Sequence, residues 1–263
     1  RQFEAASLDS RLRDFAQAEA LRAVHFAPAP AGARAFDIII LHVCSLSWDD
    51  LRAAGDDDDA LLARFDLLYT SFNSAASYSG PAAIRLLRGA CGQSLHRDLY
   101  EPAQPQCLLV DGLQSVGFEP HWLMNHDGHF GNFYGEVRDN GGMPVAPDAN
   151  AGATVAMHAF DGTPVMDDYS VLSRWWQARL ARATPREVLY YNTISLHDGN
   201  RIAGQESLRG TAAWTARMHL LSSGLQRFLD ELARSGRRAK ASCKPTQTPS
   251  RSAQPTYRCQ LRV

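Results

Sequence analysis

Residues 74–88 read SAASYSGPAAIRLLR and lead from a loop of small residues into a run with helical spacing of its apolar side chains. Ser79 stands two residues before Pro81, a position that suits a helix N-cap. The start of a helix also offers a phosphate free N–H groups and the positive end of the helix dipole. Ser79 is therefore either a cap, the commoner role of such a serine, or a nucleophile presented to an anion.

The chain around this stretch alternates apolar runs with amphipathic segments. Residues 36–44 read FDIIILHVC, which is too short for a helix and suits a strand buried on both faces of a parallel sheet. Further strands are predicted at 65–70, 119–125 and 188–196, and helices at 3–26, 169–181 and 211–234. This alternation predicts an α/β fold with a mainly parallel sheet flanked by helices.

Composition limits the class of protein. The chain has 263 residues, 45% hydrophobic and 21% charged, which indicates one globular core. The net charge of −1 argues against a nucleic-acid binder, but the last 27 residues carry seven basic and no acidic side chains. The longest apolar run covers only residues 38–41, and no signal-peptide pattern follows Arg1. We expect a fragment of a longer gene product.

Three chemically capable residues are predicted at or just beyond strand ends, where α/β folds bind ligands: Cys44, Ser79 and His197. Thiolate and imidazole are common zinc ligands, and a metal beside Ser79 would stabilise the serine alkoxide that attacks phosphorus. Simpler alternatives remain open, because Cys44 also suits a small buried residue and His197 a loop histidine.

The other histidines and cysteines give weaker indications. Three further histidines have a sequence spacing that matches no strong zinc motif: His121, His126 and His129. The five cysteines form no metal-finger pattern, and from the residues alone Cys91 and Cys107 are either a disulfide or two free thiols.

The residues just described, in this order, resemble a known family. The chain is similar to the cellulose-biosynthesis phosphoethanolamine transferases (the BcsG type) of the alkaline phosphatase superfamily. The likeness covers roughly residues 34–236, and the stretches that carry it are 36–39, 44–51, 72–86, 131–143, 160–162 and 196–200.

The resemblance implies an alkaline-phosphatase-like sandwich at the periplasmic face of the bacterial inner membrane, anchored there by a membrane segment in the full-length protein. It implies transfer of phosphoethanolamine from phosphatidylethanolamine to cellulose, beside a cellulose synthase complex that builds biofilm. By this likeness Ser79 is the nucleophile, Cys44 and Ser79 are zinc ligands, and Tyr78 and His197 line the site. It also implies a disulfide between Cys91 and Cys107.

The same likeness divides the chain into three parts. Residues 1–33 form a helical arm and linker, 34–236 an incomplete catalytic domain, and 237–263 a basic, disordered, aberrant tail. Family members continue past the long helix with an apolar strand that ends in Glu-His and completes the zinc site. We expect this strand and pair to be absent here, which leaves the fold without its C-terminal portion and impairs activity. Cys243 and Cys259 are not expected to supply substitute thiolates, because a tail without structure does not hold them in place.

Two other functions remain open from the sequence. One is a phosphatase or sulfatase of the same superfamily acting on a different substrate. The other is a non-catalytic module of a polysaccharide-secretion complex. Contact of the basic tail with nucleic acid is not expected, since no aromatic residues interleave the charges.

Overall fold

The computed structural model describes residues 5–56, 60–237 and 239–245. This part of the chain contains seven α-helices and seven β-strands. The helices are α1 (Ala5–Ala20), α2 (Trp48–Ala54), α3 (Ser79–Leu87), α4 (Leu109–Ser115), α5 (Phe133–Gly135), α6 (Asp168–Ala181) and α7 (Gly210–Arg234). The strands are β1 (Asp37–Val43), β2 (Glu119–Met124), β3 (Val155–His158), β4 (Pro164–Met166), β5 (Glu187–Thr193), β6 (Arg201–Ile202) and β7 (Ala239–Pro245).

The central sheet has the order β2-β5-β1-β7 with every pair parallel. Apolar side chains that alternate along β1 face two cores, as a doubly covered sheet requires. Ile39, Leu41 and Val43 pack with α6 and α7, whereas Ile40 packs with α3 and α4. The predicted α/β fold with a mainly parallel sheet flanked by helices is therefore confirmed.

The strand β7 corrects the prediction that disorder begins at residue 237. Its backbone pairs in parallel with the whole of β1, and Leu41, His42 and Val43 stand opposite residues 243–245. A buried strand such as β1 exposes costly unpaired N–H and C=O groups on any uncovered side. This demand for backbone pairing outweighs the polar composition of 239–245. Residues 246–263, with Cys259, lie outside the described part.

The prediction of a strand at 65–70 is wrong. The segment is irregular, with Leu67 39% exposed and Tyr69 64% exposed. Both neighbours of β1 in the sheet are already β5 and β7. An alternating apolar pattern without an adjacent strand to pair with does not form a ladder.

A second, three-stranded antiparallel sheet has the order β4-β3-β6. The sequence did not predict it, because its strands have only two to four residues each. The turn between β3 and β4 brings Phe160 close to the loop that follows β5. A Cβ added at Gly199 in that loop would lie only 2.9 Å from Cβ of Phe160. This sheet therefore borders the carboxyl edge of the central one.

Candidate functional site

Cys44 follows β1 and extends its pairing by one residue, since its N–H donates to the carbonyl of Thr193 (2.9 Å). The next residue, Ser45, has φ of +64°, so the chain turns sharply away from the sheet. The Cys44 side chain is 3% exposed. Burial raises the pKa of its thiol, against the opposing effect of hydrogen bonds with Ser79 and Ser45.

Ser79 is the first residue of α3, and its Oγ lies 2.9 Å from Sγ of Cys44. The capping position belongs to Tyr78, whose side chain makes no capping bond. Ser79 is therefore not the N-cap of α3. Its hydroxyl contacts the Cys44 thiol instead of a helix N–H. Two residues 35 positions apart thus meet at the carboxyl edge of the sheet.

The start of α3 is closely packed against a carboxylate. A Cβ on Gly80 would overlap Oε2 of Glu136, so a larger residue at position 80 requires this side chain to move. Burial raises the pKa of Glu136. The first helical hydrogen bond runs from Ala82 N to the Tyr78 carbonyl, so the N–H of Gly80 precedes the intrahelical ladder.

Tyr78 and His197 occupy the same edge but make no hydrogen bond to Cys44 or Ser79 among the described residues. Tyr78 is 75% exposed directly before the serine. His197 lies in the turn after β5, where its Nδ1 is 2.8 Å from the Asp198 carbonyl. Its ring contacts Phe130 and Phe160.

A buried polar chain runs beneath this edge and was missed in the sequence. His126 Nδ1 accepts from Gly128 N (3.1 Å), so its Nε2 carries the proton and donates to Oδ1 of Asn192 (2.7 Å). Asn192 Nδ2 continues to Nδ1 of His42 (3.0 Å), which lies 2.8 Å from the Tyr190 hydroxyl. Burial lowers the pKa of His126, which keeps the ring neutral. Asn192 inside an otherwise apolar strand was the available signal.

A second buried network joins the ends of β2 and β5. The carboxylate of Asp168, at the start of α6, accepts from Ser195 Oγ and Tyr191 Oη, both at 2.6 Å. Asn125 Nδ2 donates to Ser195 Oγ (2.9 Å), and its Oδ1 accepts from Ile194 N (3.0 Å). These bonds fix the starts of the two loops that carry His126 and His197.

His121, in β2, and His129, in the following loop, lie beside carboxylates. His121 lies 3.1 Å from Glu187 through Nε2 and 3.4 Å from Asp148 through Nδ1. His129 is exposed and lies 3.1 Å from Asp127. Both ring nitrogens of His126 are hydrogen-bonded.

Cys91 and Cys107 form a disulfide. It links the segment after α3 to the 3₁₀ turn Pro105–Cys107, which leads into α4. The pairing implied by the resemblance is therefore confirmed, and the alternative of two free thiols does not hold.

The donor set can be compared with what zinc needs. Cys44 and Ser79 offer adjacent sulfur and oxygen donors, but zinc sites take three or four protein ligands. Within the described part of the chain, no group of three His, Cys, Asp and Glu side chains is placed to hold a metal. The sequence of β7, AKASCKP, contains no acid and no histidine. The described residues therefore do not complete a zinc site.

Comparison with known proteins identifies the family. The family model described as "Cellulose biosynthesis protein BcsG C-terminal domain" matches residues 1–245. The chain belongs to the BcsG family. The match includes β7 and so agrees with the strand that corrected the predicted tail.

Individual relatives agree with this membership. The cellulose biosynthesis protein BcsG of Escherichia coli (strain K12) is 44% identical over 234 residues, which are 89% of this chain. The chain spans 41% of the length of that relative.

Solved structures show the same fold. An alkaline phosphatase superfamily protein from Vibrio parahaemolyticus superposes with a TM-score of 0.59 at 14% identity, covering 93% of this chain and 63% of its own. The lipooligosaccharide phosphoethanolamine transferase A of Neisseria meningitidis gives 0.52 at 12% identity, covering 88% and 45%. The alkaline-phosphatase-like architecture expected from the resemblance is confirmed. Among the described residues, no helix combines the length and apolar character that a membrane crossing requires.

Proposed function

We infer that this chain is a phosphoethanolamine transferase domain that moves phosphoethanolamine from phosphatidylethanolamine to cellulose through Ser79. The observation that carries this proposal is the 2.9 Å contact between Cys44 and Ser79 in a BcsG-family chain. The Neisseria relative in fold, described as a phosphoethanolamine transferase, supports the reaction class. The description of the E. coli relative supports cellulose as the acceptor.

The transfer has two balanced steps. Oγ of Ser79 attacks the phosphodiester phosphorus, the bond from phosphorus to the diacylglycerol oxygen breaks, and the serine proton passes to that oxygen. A cellulose hydroxyl then attacks the phosphorus of the phosphoethanolamine-serine, the bond from phosphorus to Oγ of Ser79 breaks, and the hydroxyl proton passes to Oγ. The N–H of Gly80 is available to the phosphoryl oxygens at the start of α3.

His197 is the proposed partner of the transferring group. It follows β5 on the same sheet edge, where an imidazole stabilises charge or passes a proton to the leaving oxygen. Tyr78, directly before the nucleophile, is the proposed second wall of the site. Neither role needs a hydrogen bond in the substrate-free protein, because catalytic hydrogen bonds often tighten only when substrate binds.

Zinc is the cofactor that the family resemblance implies, with Cys44 and Ser79 as its donors. When bound, it supplies a Lewis acid that lowers the pKa of the serine hydroxyl. Since the described residues provide only these two donors, we propose that the chain holds zinc weakly. Burial raises the pKa of the Cys44 thiol, which favours its neutral form in the metal-free protein.

The proposed setting is the periplasmic face of the inner membrane, next to the cellulose synthase complex. The disulfide between Cys91 and Cys107 supports an oxidising compartment. We place the membrane anchor in the full-length protein. This chain spans 41% of the length of the E. coli relative.

The incomplete donor set favours one second candidate, a non-catalytic module of the same polysaccharide-secretion complex. Release of diacylglycerol from phosphatidylethanolamine separates the two. We expect slow release that is abolished by Ser79→Ala, and none from phosphate monoesters or sulfate esters. Release that is equal in Ser79→Ala contradicts the transferase, and cleavage of monoesters or sulfates alone indicates a phosphatase or sulfatase.

A further inference from the structure

Two exposed phenylalanines and a site histidine form a cluster at the carboxyl edge of the sheet. Phe130 is 62% exposed and Phe160 is 55% exposed. Their ring centroids are 5.0 Å apart, and the His197 ring lies 6.1 Å from Phe130 and 6.4 Å from Phe160. We call these three residues the aromatic cluster.

The cluster is held in position without being covered. Phe160 lies in the turn between β3 and β4, which is closed by bonds from Ala159 N to the Thr163 carbonyl and from Gly162 N to the Ala159 carbonyl, both 2.9 Å. Phe130 begins the 3₁₀ turn Phe130–Asn132 after β2. Two exposed apolar rings that contact each other beside the candidate site indicate a surface that binds a ligand.

Three exposed carboxylates are close in sequence to the aromatic cluster. Asp127, Asp161 and Asp198 are all exposed, and each is close in sequence to one member of the cluster. Asp127 and Asp161 are also close enough to interact electrostatically. Carboxylate oxygens accept hydrogen bonds from neutral hydroxyl groups.

We propose that the aromatic cluster binds a glucose ring of a β-linked glucan acceptor. A glucose ring of this linkage carries its hydroxyls around its equator and presents C–H groups on its two faces. A flat aromatic side chain stacks against such a face. The neighbouring carboxylates accept hydrogen bonds from the equatorial hydroxyls. This inference rests on the proposed transfer to cellulose and assigns the acceptor side of the same site.

The acyl chains of a lipid donor are the competing occupant. They need an apolar surface but no flat ring. Shape therefore separates the two ligands. Leucine retains apolar area at position 160, whereas tyrosine retains the ring.

The test measures binding of cellohexaose to the full chain by calorimetry. We expect Phe160→Ala and Phe160→Leu each to weaken binding about tenfold, and Phe160→Tyr to retain it. Phe15→Ala is the matched control, since Phe15 is 57% exposed on α1, an element of the predicted N-terminal arm. Far-UV circular dichroism checks that each variant keeps its fold.

Three results overturn the acceptor surface. They are unchanged affinity in Phe160→Ala, retained affinity in Phe160→Leu, and loss in Phe160→Ala of binding to phosphatidylethanolamine vesicles but not to cellohexaose. Diacylglycerol release that depends on Ser79 is measured on the same samples. If that release persists while cellohexaose binding ignores Phe160, the acceptor surface is wrong and the transferase stands. If release is absent while Phe160 governs binding, the transferase is wrong and the glucan surface stands.

Discussion

Sγ of Cys44 lies 2.9 Å from Oγ of Ser79, which brings the end of β1 into contact with the start of α3. A serine hydroxyl at this position is not a cap but a group directed at a buried thiol. The contact places a potential nucleophile at the edge where parallel α/β sheets bind their ligands. The predictions below concern this pair and the structure that supports it.

Zinc content should be low. After dialysis, we expect well under one zinc per chain by elemental mass spectrometry, because two donors bind the ion weakly. Cys44→Ala should reduce even this amount. A full equivalent of zinc that resists dialysis in the unaltered chain contradicts the two-donor site.

Gly80→Ala should disturb the start of α3. The new methyl group would overlap the Glu136 carboxylate, which is the end of a flexible side chain and can move aside, so we expect unfolding by urea to show a loss below about 1 kcal/mol. Gly224→Ala is the control, since its Cβ would meet its nearest neighbour at 3.5 Å inside α7. The double variant Gly80→Ala/Glu136→Ala should recover stability. A loss that the second substitution does not relieve would place the cause elsewhere.

His121 should make stability depend on pH. Burial disfavours its charged ring, but hydrogen bonds with Asp148 and Glu187 outweigh this and raise its pKa to about 9. A raised folded-state pKa contributes stability that is complete below the unfolded value of about 6.5 and is lost as pH rises through 9. The contribution is on the order of 3 kcal/mol.

The measurement is the urea midpoint of wild type, His121→Gln and His129→Gln between pH 6.5 and 9.5. We expect the decline with pH in the wild type and in His129→Gln, and a flatter profile in His121→Gln. Parallel profiles for all three proteins would show that His121 does not carry this effect.

Reduction should destabilise the domain. The Cys91–Cys107 bond closes a loop with a sequence separation of 16, for which the loss on reduction is about 3 kcal/mol. Urea unfolding with and without dithiothreitol measures it. The variant Cys91→Ser/Cys107→Ser should resemble the reduced protein and ignore the reductant. A wild-type midpoint that does not move with dithiothreitol contradicts the stabilising role.

Long apolar patterns carried most of the fold in the sequence. The runs at β1, β2 and β5 and the periodicity of α6 and α7 predicted these elements to within a few residues. Residues 239–245 did not, because their strand depends on pairing with β1 and not on their own composition. The reverse holds for 65–70, which has the pattern of a strand but no adjacent strand to pair with.

The sequence predicted some residues of the candidate site and missed others. The position of Cys44 was predictable because it directly follows β1 at the carboxyl edge of the parallel sheet. Ser79 was expected beyond a strand at 65–70 that does not form, and it reaches the same edge as the first residue of α3. The chain from His126 through Asn192 to His42 was not predictable, since three strands bring these residues together. Asp168 likewise acts through partners in β5 and its following turn. Polar residues inside buried strands reveal that partners exist but not which ones.

Mass spectrometry of the chain after brief reaction with a soluble short-chain phosphatidylethanolamine tests the central claim most directly. We predict one phosphoethanolamine group on the peptide that contains Ser79. It should be absent in Ser79→Ala, reduced in Cys44→Ala and retained in Ser77→Ala, a neighbouring exposed serine that serves as the control. No adduct in the unaltered chain, or an adduct that persists in Ser79→Ala, would contradict the account.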